Sequence, residues 1–133
     1  MSRYILTWDD VHDDCLTLCH RITRRPVDLI AAVSRGGLVP AAIISYEMGL
    51  PVSFAIDPRR PALHRTDAHD LLIVDDVCDT GTTFRALREF FPNAYFVAPY
   101  AKPLGVAACD EWVLEVVQDT WIVMPWAPRD VAR

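Results

Sequence analysis

Two short apolar segments, residues 27–33 and Leu71–Val74, are each followed at once by a polar loop and then by a helical pattern. A strand that is apolar along its whole length is typical of a parallel sheet that is covered on both faces. Helical patterns between such strands predict crossover connections. We therefore expect an α/β fold, with a mainly parallel sheet flanked by helices, and a single domain over residues 1–133.

The first helix has a clear start and end in the sequence. Thr7 and Asp10 have the spacing of a capping box, and apolar residues then recur at helical intervals until a stop before Pro26. Cys15 and Cys19 fall on the apolar face of this helix, and their spacing fits poorly with known zinc sites. We therefore interpret them as core residues.

The remaining elements are predicted from breakers and apolar runs. Pro40 suits the first turn of a second helix that runs through Met48, with Gly49 at its C-terminal cap. A third helix is expected over residues 82–90. Further strands are expected over residues 52–56, 94–99 and 112–117, and residues 112–117 are the last clear strand. Residues 57–70 are expected to form an exposed loop.

Composition and charge exclude several classes of protein. The formal net charge of −5 and the pI near 5.2 disfavour binding to nucleic-acid phosphates. No apolar run approaches the roughly 18 residues of a membrane helix, and the opening residues lack the pattern of a secretory signal. The four cysteines have no disulfide-scaffold spacing. We expect a cytoplasmic protein with reduced thiols and no integral membrane segment.

The strongest candidate site follows the strand Leu71–Val74. Ligands of open α/β sheets bind beyond the carboxyl ends of the strands. The carboxylates of Asp75 and Asp76 are suited to accepting hydrogen bonds from sugar hydroxyls, or to binding Mg²⁺. Backbone amides at the following helix start can hold a phosphate monoester. That loop consists of Thr80, Gly81, Thr82 and Thr83. The combination predicts a site for a ribose 5-phosphate.

The stretch of residues 71–83 resembles the phosphoribosyl-pyrophosphate (PRPP) signature of the type I phosphoribosyltransferases. That signature is a hydrophobic strand, two acids, two variable residues, an acid or small residue, and then Thr, Gly and Thr. Further stretches narrow the resemblance to the bacterial xanthine-guanine branch of the family. They are residues 4–9, 32–40, 96–97 with 101–103, and 118–122 with 125–126.

The resemblance implies transfer of the phosphoribosyl group of PRPP to a 6-oxopurine (guanine, xanthine or hypoxanthine) in purine salvage. It implies three groups of PRPP ligands: Asp75 and Asp76 for the ribose; Asp79, Thr80, Gly81, Thr82 and Thr83 for the 5-phosphate; Ser34, Arg35 and Gly36 for the pyrophosphate. Mg²⁺ is the implied cofactor, with Asp76 as its protein ligand. Asp79 is the implied catalytic residue, which accepts the N7 proton of the purine.

The implied base-binding residues are Lys102, Trp121 and Ile122. Lys102 is the only lysine in the chain, and a single ammonium at a strand end can meet a base carbonyl. The resemblance assigns it to the 6-oxo group of the purine, with Trp121 stacked on the ring and backbone atoms of Ile122 at its edge. From the residues alone, Trp121 is interpreted as a core or interface tryptophan, which is the commoner fate of this residue.

Two departures from the family pattern leave an alternative open. The segment of residues 52–70 is shorter than the corresponding region of the xanthine-guanine enzymes, which contains a mobile loop that closes over PRPP; Arg59, Arg60 and Arg65 are the candidates for its contribution. Val123 stands where the family often has an acid, in a small base-binding hood. The alternative is a nucleotide-binding or regulatory protein of the same fold with weak or no transferase activity. Trp8, Trp112, Trp126 and three tyrosines outside the strands supply more amphipathic surface than a small core needs. This surplus and the family habit favour a homodimer or homotetramer.

Overall fold

The computed structural model describes residues 1–22, 25–61 and 70–128, in which strands alternate with helices as predicted. In chain order the elements are β1 (Ser2–Ile5), α1 (Trp8–Ile22), β2 (Leu29–Val33), α2 (Leu38–Met48), β3 (Val52–Ile56), β4 (Leu71–Val74), β5 (Val77–Cys78), α3 (Thr82–Arg88), β6 (Tyr95–Val97), β7 (Tyr100–Ala101), a 3-10 helix (Val106–Ala108), β8 (Leu114–Glu115) and β9 (Thr120–Val123).

The central sheet is parallel and has the strand order β3-β2-β4-β6. Along its two middle strands, successive side chains point alternately into two hydrophobic cores on opposite faces of the sheet. Ile30 and Ala32 of β2 pack with α1 and α2 residues on one face, and Ala31 and Val33 pack with α3 residues on the other. Both faces of the sheet are therefore covered, which explains the unbroken apolar character of these strands. The prediction of an α/β fold with a parallel sheet flanked by helices is confirmed.

The start of α1 is the predicted capping box. The backbone N–H of Asp10 donates to Thr7 Oγ1 at 3.0 Å, and the backbone N–H of Thr7 donates to Asp10 Oδ2 at 2.9 Å. Cys15 and Cys19 lie in the core, as interpreted, and burial raises the pKa of the Cys15 thiol to about 12 and that of Cys19 to about 11. Both thiols are therefore protonated near neutral pH.

The second helix, α2, also matches its prediction. Pro40 lies in its first turn, and Gly49 caps its C-terminus in the left-handed conformation, with a φ of 66°. The third helix ends at Arg88, two residues earlier than expected, and β6 is shorter than the strand predicted over residues 94–99. Of the predicted loop over residues 57–70, the part over residues 62–69 lies outside the described residues.

The prediction that residues 112–117 form the last clear strand was wrong. Only Leu114–Glu115 are extended there, in a small parallel sheet of order β5-β7-β8. The last strand is β9, which pairs in parallel with β1 at the opposite end of the chain. Each of these strands is only four residues long, and the two segments that pair are more than a hundred residues apart in the sequence. Across the described ranges, no helix has the length and apolar character needed to cross a membrane.

Candidate functional site

The polar loops after β2 and β4 meet at the carboxyl edge of the central sheet. These two strands are neighbours in parallel register, so their following residues emerge side by side. A Cβ atom on Gly36 would lie only 2.6 Å from Asp76 Oδ2, and a Cβ atom on Gly37 would lie 2.2 Å from the Val74 carbonyl oxygen. Only residues without a side chain allow this approach. The structure thus brings the predicted pyrophosphate loop against the predicted ribose carboxylates.

The predicted pyrophosphate loop leads directly from β2 into α2. The backbone N–H of Ser34 donates to the Ile56 carbonyl at 2.8 Å, which anchors the start of the loop to the end of β3. The Ser34–Arg35 peptide bond is cis. The backbone N–H of Leu38 donates to the Arg35 carbonyl at 3.0 Å, and the Arg35 side chain is exposed. The cation of this loop therefore faces solvent at the mouth of the site.

The two acids after β4 are in different environments. Burial raises the pKa of the Asp75 carboxyl well above its usual range, and the neighbouring Asp76 carboxylate adds to the shift. Asp75 Oδ1 accepts the backbone N–H of Asp76, and Asp76 Oδ1 accepts the backbone N–H of Val77, both at 2.8 Å. Asp76 Oδ2 points towards Gly36. Asp76 is thus the acid that faces the pyrophosphate loop.

The predicted phosphate loop forms a small cleft of about 80 Å³ at the start of α3. Its lining includes Asp75, Asp79, Thr80, Gly81, Thr82 and Thr83. Gly81 has a φ of 85°, a conformation that side chains strongly disfavour. The hydroxyls of Thr80 and Thr82 are 2.9 Å apart, and Arg85 Nη1 donates to the Thr80 carbonyl at 2.7 Å. These contacts hold the loop around a small cleft whose lining includes the threonine hydroxyls.

The Asp79 carboxylate has a partner on each oxygen. Lys102 Nζ lies 3.4 Å from Asp79 Oδ2, and Gln118 Nε2 donates to Asp79 Oδ1 at 2.7 Å. The Lys102 side chain is only 8% exposed, whereas that of Asp79 is 55% exposed. The structure therefore joins the predicted catalytic acid to a predicted base-binding residue. Sequence reasoning missed Gln118 as a site residue; the available signals were that it is the single glutamine of the chain and that it begins the family-like stretch of residues 118–122.

A larger cleft of about 490 Å³ lies between this sheet edge and β9. It is lined by Arg35, Gly36, Asp76, Trp121, Ile122, Met124, Trp126, Ala127 and Pro128. Predicted pyrophosphate, ribose and base residues thus share one space. Trp121 is 47% exposed, so it is not a core residue. Sequence reasoning assigned Trp126 to an interface and not to the site; its ring packs 5.8 Å from that of Trp8 and supports the wall of this cleft.

Of the three arginines proposed for a closing loop, the structure describes Arg59 and Arg60. Arg59 pairs with Asp57 at the end of β3, with 3.2 Å between Nε and Oδ1, so its guanidinium is held at the carboxyl edge of the sheet. The Arg60 side chain is exposed, and Arg65 lies outside the described residues. The prediction that residues 52–70 contribute to closure therefore stays a prediction.

Comparisons with known proteins agree with this geometry. The family profile described as "Phosphoribosyl transferase domain" matches residues 7–133. A xanthine-guanine phosphoribosyltransferase from Chromohalobacter salexigens is 38% identical, over 94% of this chain and 84% of its own. One from Gluconobacter oxydans is 38% identical, over 91% and 82%. The crystal structure of a purine phosphoribosyltransferase from Pyrococcus horikoshii has a TM-score of 0.79 and 26% identity, over 96% of each chain.

Proposed function

The chain belongs to the phosphoribosyl transferase family, and from this we propose that it transfers the 5-phosphoribosyl group of PRPP to a 6-oxopurine. The products are a nucleoside monophosphate and pyrophosphate, and the substrate class is guanine, xanthine or hypoxanthine, in purine salvage. One observation carries the proposal. Arg35, Gly36, Asp76, Trp121 and Ile122 line a single cleft, so the residues proposed for the pyrophosphate, the ribose and the base face one space.

The sugar phosphate would bind after β4. The 5-phosphate fits the small cleft at the start of α3, where the backbone of residues 79–83 and the hydroxyls of Thr80, Thr82 and Thr83 supply donors. Asp75 and Asp76 directly precede this cleft and would accept hydrogen bonds from the two ribose hydroxyls. Hydroxyl donors beside Asp75 would favour its ionised form and so offset the effect of its burial.

The pyrophosphate group would lie against residues 34–36. Arg35 and neighbouring backbone amides provide the positive potential for the leaving group. We propose Mg²⁺ as cofactor, and the donor set fits it. The described residues contain no group of three or more His, Cys, Asp or Glu that could hold a metal ion by themselves. Mg²⁺ is commonly bound by one or two carboxylates plus substrate oxygens, and Asp76 offers such a carboxylate. When bound, it would neutralise charge on the pyrophosphate.

The purine would lie between β9 and the loop after β7. Trp121 is exposed and can stack on the purine, backbone atoms of Ile122 can meet its edge, and the buried ammonium of Lys102 can donate to the 6-oxo group. The anomeric carbon develops oxocarbenium character, so charge stabilisation matters more than a protein nucleophile. Asp79, beside Lys102, would accept the N7 proton as N9 attacks.

A steady-state assay tests this function. The chain should convert PRPP and at least one of guanine, xanthine and hypoxanthine to the nucleoside monophosphate, and turnover should require added Mg²⁺ and stop in excess EDTA. Saturable PRPP binding without product for any of the three bases would instead support the alternative of a nucleotide-binding or regulatory protein. Absence of both binding and product would refute the assignment of the site.

We also propose that the chain forms a homodimer or homotetramer through the face of α2 that the fold leaves uncovered. Helix α2 has apolar residues on all sides, and its polar residues are Ser45, Tyr46 and Glu47; this character is typical of buried helices. Leu38, Ala42 and Tyr46, spaced four residues apart, are nevertheless exposed, Tyr46 by 91%. They border a groove of about 530 Å³ between α1 and α2. A second copy fits this face, because two antiparallel α2 helices centred on Ala42 would place Glu47 of one at the acid-free N-terminus of the other.

Substitution of Tyr46 tests the assembly. Tyr46→Lys should convert the parent oligomer to a monomer in light scattering coupled to size exclusion, because in this arrangement position 46 would pack on the partner's Leu38, and a charge is costly to bury there. Ser53→Lys, on the exposed edge strand β3, is the matched control and should keep the parent mass. A monomeric parent, or a Tyr46→Lys variant with the parent mass, would contradict this interface.

The cysteines support a cytoplasmic location. Cys15, Cys19, Cys78 and Cys109 are all free and buried, as expected for a protein of a reducing compartment. Purine salvage from PRPP would take place in that compartment.

A further inference from the structure

We infer that Gln118 is a positioning residue for the proposed reaction, which fixes the Asp79 carboxylate for proton transfer. The inference rests on the proposed function. Asp79 is largely exposed, and a carboxylate on a surface loop ordinarily samples several rotamers. A group that fixes its orientation would therefore contribute directly to the geometry of the reacting atoms.

Gln118 makes the shorter of the two side-chain contacts to this carboxylate. The Gln118 Nε2–Asp79 Oδ1 distance is 2.7 Å, whereas Lys102 Nζ is 3.4 Å from Asp79 Oδ2. At the first distance the hydrogen bond is strong, and at the second the ion pair is loose. Lys102 is also the residue proposed to donate to the purine. Gln118 is thus the fixed support, and Lys102 remains available for the base.

The orientation of the Gln118 amide follows from its partners. Its Oε1 accepts the backbone N–H of Leu104 at 2.8 Å, and its Nε2 donates to both Asp79 Oδ1 and, at 3.3 Å, the Asp79 carbonyl. A backbone N–H only donates, and a carboxylate only accepts. The reversed amide would therefore lose every one of these bonds. No other side chain of similar length satisfies both requirements: glutamate lacks the donor and leucine lacks both groups.

The position of Gln118 links the three loops that the reaction needs together. Asp79 follows β5, Leu104 belongs to the loop after β7 that carries Lys102, and Gln118 lies two residues before β9, which carries Trp121. The same loop is anchored by the Lys102 backbone N–H, which donates to the Cys78 carbonyl at 3.0 Å. Gln118 thus fixes the position of Asp79, the proposed proton acceptor, relative to Lys102 and Trp121, the proposed base-binding residues.

A double-mutant cycle on kcat tests the inference. Gln118→Glu is nearly isosteric and replaces the donor with a second carboxylate. We expect it to lower kcat about tenfold or more, with the KM for PRPP within about threefold of the parent. In the Asp79→Asn background the same change should alter kcat less than about threefold, because the carboxylate that Gln118 positions is gone. Gln118→Leu should behave like Gln118→Glu.

Val117→Glu is the matched control, since it adds the same charge at the adjacent residue, whose side chain is 72% exposed. It should leave kcat and KM at parent values. Thermal unfolding of each variant separates lost activity from lost structure, and if Gln118→Leu does not fold, Gln118→Glu decides. The inference is overturned if Gln118→Glu keeps the parent kcat. It is also overturned if the fall in kcat of the double variant equals the product of the two single-variant falls. If Asp79→Asn itself keeps the parent kcat, the proposed role of Asp79 fails first, and the inference fails with it.

Discussion

Replacing Asp79 by asparagine should lower kcat for phosphoribosyl transfer by roughly 100- to 10,000-fold, the range expected when a general base is removed. Asparagine keeps the size of the side chain, and its amide oxygen can still accept the hydrogen bond from Gln118 Nε2. It cannot accept the purine N7 proton. The KM for PRPP should change little, because the 5-phosphate is proposed to bind the backbone and hydroxyls of the loop. Steady-state kinetics with saturating purine measures both constants.

The control for this variant removes the same charge elsewhere. The Asp13 side chain is 80% exposed on α1, so Asp13→Asn should leave kcat at the parent value. A fall in kcat for both variants would indicate an effect of net charge. Parent-like kcat for Asp79→Asn would show that another group, or solvent, takes the proton.

Gly36→Ala should weaken PRPP binding by about 10- to 100-fold and lower the free energy of unfolding by about 1.5–3 kcal/mol, the value of one hydrogen bond to a charged group. The added Cβ would lie 2.6 Å from Asp76 Oδ2 and 2.7 Å from Oδ1, so the carboxylate must move. Asp76 would then lose its hydrogen bond from the Val77 N–H and its proposed contact to ribose, and hydrogen bonds to charged groups are worth about 1.5–3 kcal/mol each. The positive-φ glycines of the described chain are Gly49 and Gly81, so the Gly36 backbone accepts alanine. Calorimetric titration with PRPP and Mg²⁺ measures the loss.

Gly49→Ala provides the comparison for Gly36→Ala. Gly49 has a φ of 66° and no heavy atom within 4 Å of an added Cβ, so alanine there strains the backbone without a collision. It should lower the free energy of unfolding by about 1 kcal/mol and leave PRPP affinity unchanged. If Gly36→Ala binds PRPP as tightly as the parent, the close approach of the two loops has no part in binding.

Most of the central sheet could be predicted because its signals are local. The apolar runs of β2 and β4, the capping box at Thr7 and the glycine cap at Gly49 each depend on residues close together in sequence. The second sheet could not be predicted in this way. Ser2 of β1 pairs with Thr120 of β9, and no local pattern specifies a partner so distant in the chain.

The same distinction between local signals and long-range contacts applies to the candidate site. The sequence by itself determined the types of chemistry: two acids, a phosphate loop and an arginine loop at strand ends, each readable from adjacent residues. Only the tertiary structure decided which of them touch. Gly36 meets Asp76 because β2 and β4 are neighbours, and Gln118 reaches Asp79 from 39 residues away because three loops converge at one edge of the sheets. The physical reason is that side-chain chemistry is a property of each residue, whereas distance is set by strand pairing and packing of the whole chain.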